Sequence, residues 1–245
     1  MSLRNFKTSN PVFNRYFWDD TKSSAKTMSV SGIIFKSIIS ILIIALITTY
    51  VWKLNEAGAS MQWFTLGGML AAAIVSVLIS IRQHWSPILV PLYVIAKGFF
   101  LGGCSAYAHR HYPDLPYQAI GVTIITFFVM LLLYQLRLIV VTKKLRSVII
   151  TATVSIMVTY LITWILSFFG IKNYIWGTSW FAIVFNILAA VVASFALLLD
   201  FDYIERYKNR APKYKEWIAT WGLLATLIWL YIEVLRLMQK FALRF

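Results

Sequence analysis

Residues 181–200 read FAIVFNILAAVVASFALLLD, a run broken only by Asn186 and Ser194 before it ends in Asp200. At ~1.5 Å per residue, twenty helical residues extend ~30 Å, the thickness of a bilayer's hydrocarbon core. A buried strand needs only about 4–8 residues, so the run reads as a membrane-spanning helix. Ala182, Asn186, Ala189, Ala193, Ala196 and Asp200 recur at spacings of three and four. They share one narrow face of small side chains that ends in an acid.

The same apolar pattern recurs at Ile33 to Trp52, Phe64 to Ile81, Pro87 to Tyr107, Ala119 to Tyr134 and Val148 to Phe169, with Phe181 to Leu199 the sixth. A seventh segment, Trp217 to Met238, is long enough to cross but contains Glu233 and Arg236. It either spans the membrane or bends back. Composition agrees, since 60% of the 245 residues are apolar and 13% are charged, against about 45–50% and about 25% in soluble domains. The expected class is all-α, a polytopic seven-helix membrane bundle. Residues 1–32 form a tail and residues 33–245 a single transmembrane domain. A soluble enzyme is excluded, and neither phosphate-binding nor proteolytic motifs are present. The one cysteine, Cys104, rules out an intrachain disulfide.

The net charge of +14 would point to nucleic acid in a soluble protein, but here it is asymmetric. Fifteen of the 23 lysines and arginines lie on the N-terminal side of the spans: five in the tail, Arg82, four between Arg137 and Arg146, and five between Arg206 and Lys215. Lysine and arginine are retained in cytoplasmic loops. The N-terminus is therefore expected in the cytoplasm, and the lipid bilayer replaces nucleic acid as the partner. Trp52, Trp63, Trp85, Tyr134, Trp176, Trp180 and Trp217 bracket the spans at headgroup level.

Ionisable residues at membrane depth are costly and mark candidate functional positions. Lys97 lies ~15 Å beyond Pro87 along its helix, too deep to snorkel. It is expected to pair with a carboxylate of another helix, the alternatives being a part in ion passage or a shifted helix end. The seventh span carries Ala219, Gly222, Thr226, Trp229, Glu233 and Arg236 on one face. Gly98 and Gly102 form a GxxxG pair suited to close helix contact. Thr151, Ser155, Thr159, Thr163 and Ser167 are read as bonding back to the i−4 carbonyl or across to a neighbouring helix, the alternative being a hydrophilic lining. His109, His111 and Asp114 share a short loop and are read as solvated rather than as metal ligands. No metal or other cofactor is expected.

The segments Leu199-Asp200-Phe201-Asp202-Tyr203-Ile204-Glu205, Ala211-Pro212-Lys213-Tyr214 and Trp229-Leu230-Tyr231-Ile232-Glu233-Val234-Leu235-Arg236-Leu237 resemble the C-terminal part of the Bax inhibitor-1 family in its bacterial, YccA-like branch. Asn10-Pro11-Val12, Pro91-Leu92-Tyr93, Gly98-Phe99-Phe100-Leu101-Gly102 and Leu133-Tyr134 agree with it. The resemblance implies a central last helix surrounded by the other six, in a bacterial inner membrane. It also implies two acids, here Asp200 and Glu233, that share a proton, gate a pH-sensitive calcium leak and could hold calcium transiently. Arg82 falls near a basic latch, and Lys97, Asp202 and Arg236 are further candidate ion-pair partners. A second function compatible with the resemblance is modulation of a membrane quality-control protease through the basic tail. Glu233 stands where many relatives have Asp, and Lys97 has no counterpart in the family pattern.

Direct contact of the two acids makes a geometric demand. With Trp217 at the cytoplasmic surface, Glu233 is ~24 Å along its helix, whereas Asp200 lies near the cytoplasmic end of the sixth span. They meet only if the last helix starts well outside the bilayer, bends or tilts strongly.

Overall fold

A computed structural model describes residues 27–170, 175 and 177–244. The basic tail residues Arg4 to Lys26, the Asn10-Pro11-Val12 segment and Trp176 lie outside the described residues. Among the described residues there are seven α-helices: α1 (Val30–Glu56), α2 (Met61–Ile81), α3 (Ser86–His111), α4 (Leu115–Gln135), α5 (Lys143–Phe168), α6 (Trp180–Tyr207) and α7 (Lys215–Arg244). Each is long and apolar enough to cross a membrane. There is no strand among the described residues, only an isolated bridge between Thr27 and Pro212.

The helices extend beyond the apolar runs. Helix α6 continues for seven residues past Asp200, so that acid is inside a helix rather than at its end. Helix α7 is uninterrupted through Glu233 and Arg236 and is ~45 Å long at ~1.5 Å per residue. It does not bend back. It is also the most enclosed, with 78% of its apolar window buried against 17% for α1, α4 and α5. Large side chains such as Phe35 and Leu46 of α1, Ile125 of α4 and Leu161 of α5 are exposed.

The described chain divides into two compact units, one of residues 27–113 and 203–224, the other of residues 114–202 and 225–244. In the first, α1 and α2 both pack on α3. Glycines set these approaches. A Cβ at Gly98 would lie 2.8 Å from Cβ of Ile47, and one at Gly102 would lie 2.8 Å from Cβ of Val51, so the GxxxG pair seats α1. A Cβ at Gly103 would overlap the Thr65 hydroxyl of α2. The core gathers Met28, Ile33, Ile79, Val90, Val94, Ile218 and Leu224.

Helix α1 starts at Val30, where the Ser29 side chain accepts from the Gly32 amide at 3.1 Å. Glu216 of α7, itself buried, accepts from the Ser29 amide and hydroxyl at 2.9 and 3.0 Å and from Lys36. A carboxylate at a helix N-terminus complements the helix dipole. Gly32 makes room for it, because a Cβ there would sit 2.6 Å from either carboxylate oxygen.

In the second unit, Phe201 packs edge-on against Phe127 of α4 at 5.6 Å, with Tyr134 at 5.9 Å. Thr159, Thr163 and Ser167 of α5 donate to Ser155, Tyr160 and Trp164 carbonyls. Each of these hydroxyls has a partner within its own helix.

Candidate functional site

Glu233 has no solvent exposure and lies eighteen residues into α7, ~27 Å from Lys215. Three helices aim donors at it. The Tyr160 hydroxyl of α5 and the Asn186 side-chain amide of α6 both donate to Oε2 at 2.8 Å. The Trp229 indole, one turn earlier on α7, donates to Oε1 at 3.0 Å. Arg236 stands 3.7 Å from Oε1 with its guanidinium over the Tyr160 ring at 4.9 Å. An ionised glutamate is an acceptor only, and each of these neighbours donates. The pocket is constructed for a carboxylate.

The local sequence explains the assembly. Ala182, Ala189 and Ala193 are fully buried beside Asn186, so the small face of α6 brings its backbone close enough for a short amide to reach α7. On α7 the i,i+4 spacing of Trp229 and Glu233 and the i,i+3 spacing of Arg236 stack these groups on one face. Asn186 also acts in the other direction, its side-chain oxygen accepting from Lys240.

The geometry corrects the expected proton-sharing pair. Asp200 is buried, but it lies fourteen residues beyond Asn186 on the same helix, ~21 Å at ~1.5 Å per residue. Asn186 touches Glu233, and no side chain spans the remaining distance. Asp200 and Glu233 thus occupy different depths and share no proton. The reason is the one the spacing raised: α6 and α7 are both long and unbroken, and neither slides or bends to align the two acids.

The other candidates separate as well. Asp202 forms a buried ion pair with Arg146 at the start of α5. Lys97 pairs with no carboxylate among the described residues. Its ammonium lies over two rings of its own helix, Phe100 at 5.0 Å and Tyr93 at 5.6 Å, and cation–π attraction replaces the expected ion pair. Arg82 is exposed at the C-terminal cap of α2 and makes no ion pair among the described residues, so it does not act as a latch in this conformation. Arg236 is the one expected partner that faces Glu233. His109 and His111 turn to the carbonyls of Pro113 and Tyr107, and no cluster of three histidine, cysteine or acidic side chains occurs among the described residues.

Tyr160, Trp229 and Lys240 were not singled out by sequence as ligands of this network. A signal for Tyr160 was present, as a phenol embedded in an apolar stretch where a buried hydroxyl needs a partner.

Seven apolar helices with a buried, fully coordinated carboxylate on the most enclosed of them define a polytopic α-helical membrane protein. The family model described as Bax inhibitor 1 like matches residues 10–243, nearly the whole chain. The chain belongs to that family. No curated protein and no solved structure matches it.

Proposed function

We propose that this membrane protein is a cation leak pathway, with calcium the first candidate ion, whose resting conformation is held by Glu233. The observation that carries this reading is a carboxylate without solvent exposure, at membrane depth, bonded by donors from three helices. Acids within membrane spans are expensive, and they mark ion and proton pathways.

Protonation converts one carboxylate oxygen into a donor, which meets another donor at the Asn186 amide and the Trp229 indole and finds an acceptor only if the Tyr160 hydroxyl turns its hydrogen away. The link between α5, α6 and α7 loosens. Acid therefore favours opening, the reverse of a shared-proton pair, in which proton loss would drive two carboxylates apart. Asp200 is a second, independent acid at another depth. The lysine and arginine asymmetry supports an N-terminus in the cytoplasm, and the family resemblance supports a bacterial inner membrane.

Calcium flux into liposomes holding the purified protein tests this across about pH 5 to 8. Flux should rise as pH falls, and Glu233→Gln should remove the pH dependence. Absence of flux throughout would defeat the leak reading. Co-purification of a membrane protease that is lost on deleting residues 1–32 would then support the partner-binding role.

A further inference from the structure

Lys240 lies close to the end of α7, where a long cationic side chain ordinarily reaches for water. It turns inward instead and is 7% exposed. Its ammonium meets three oxygens: the side-chain oxygen of Asn186, the Ala182 carbonyl at 3.2 Å and the Ile175 carbonyl at 2.6 Å. An ammonium has three donors, and each finds one oxygen. All three oxygens belong to uncharged groups. The charged groups acting on Lys240 are Arg236 and Glu233, both on α7. Glu233 is linked to it through Asn186, which donates to the carboxylate and accepts from the ammonium. Arg244, one turn further, is engaged elsewhere, with the Thr178 carbonyl at 3.1 Å and the Trp180 ring at 3.9 Å.

We propose that these three oxygens form a site for a monovalent cation of ammonium size, and that Lys240 is its tethered occupant. Carbonyl oxygens that replace a hydration shell are a recurring means of holding monovalent ions within membrane proteins. Calcium needs about 6–8 oxygens, several from carboxylates, and none of the three here comes from one. Deleting the ammonium while leaving the oxygens creates a vacancy that a free monovalent ion fills. The inference does not depend on conduction, because it is read as stability in detergent rather than as flux.

Melting of Lys240→Ala is compared in ammonium, potassium, sodium and choline chloride at equal ionic strength. The variant should melt below wild type in choline, and ammonium and potassium should restore about 2–4 °C with saturation, the shift that one recovered interaction gives in a chain of this size. Lys240→Met, whose unbranched stem occupies the space without a charge, should be destabilised in all four salts. Wild type should not discriminate among them. Equal melting of Lys240→Ala in the four salts overturns the proposal, as does wild-type stability of that variant in choline. Should the alanine variant not fold in any of these salts, wild type supplies the test by peptide-resolved acetylation. Lys240 should react about tenfold more slowly than exposed Lys53, one hydrogen bond's worth, and faster in Asn186→Ser. Equal rates at Lys240 in the two proteins overturn the cage.

Discussion

Replacing Glu233 by glutamine changes one atom in a site where every neighbour is a donor. The amide oxygen can stay at the Oε2 position and keep the bonds from Tyr160 and Asn186, both 2.8 Å. The new NH2 then occupies the Oε1 position and faces the Trp229 indole N–H, 3.0 Å from that oxygen in wild type. Donor meets donor, and Arg236 loses a negative partner 3.7 Å away. In the opposite orientation the Tyr160 oxygen can accept from the NH2, but the Asn186 amide then meets a second donor. A hydrogen bond to a charged group contributes about 1.5–3 kcal/mol, and the partly exposed Arg236 pair adds about 0.5 kcal/mol, so Glu233→Gln should cost about 2–3 kcal/mol. In a chain of this size that lowers the melting temperature by about 4–12 °C, measured in detergent at neutral pH. Trp229→Phe in the glutamine background removes the orphaned donor and should recover about 1 kcal/mol relative to additivity. A glutamine variant melting within about 1 °C of wild type, below the shift of even a small loss, would refute the view that these donors hold a carboxylate.

Asp200→Asn and Glu233→Gln should act independently, with a coupling below about 0.5 kcal/mol in a double-mutant cycle, because ~21 Å of α6 separates their levels; strong coupling would restore the shared-proton pair. Arg146→Met removes the buried guanidinium that Asp202 pairs with and should cost about 3–5 kcal/mol by thermal or denaturant unfolding, whereas the double change with Asp202→Leu should recover most of it. Gly98→Ala forces a Cβ to 2.8 Å from Ile47 and should destabilise by about 1–3 kcal/mol, with Ile47→Ala restoring part of the loss. Gly32→Ala displaces the Glu216 carboxylate from the start of α1 and should lose about 1 kcal/mol of capping; unchanged melting would show that the cap does not hold α1.

Much of the fold was legible because apolar length is a one-dimensional property. The run at residues 181–200 and its counterparts predict seven helices, and the structure has them with longer ends, since backbone hydrogen bonding continues past the apolar stretch into residues such as Asp202 and Arg206. The GxxxG pair was legible too, because absence of a side chain at Gly98 and Gly102 is itself the packing signal. Lys97 was misjudged for a definite reason. Depth says that an ammonium needs a partner, but not that the partner is a pair of rings on the same helix, Tyr93 and Phe100.

The sequence by itself determined the class, the number of spans and which charged residues must lie at membrane depth, since each follows from local composition and helix rise. Only the tertiary structure decided who meets whom. Asp200 and Glu233 look paired as two acids on successive helices, yet contact depends on how far one helix is displaced along the other. No single residue reports that displacement. It places Glu233 opposite Asn186, with Tyr160, Trp229 and Arg236 around it. It also leads Lys240 to the opposite side of that amide.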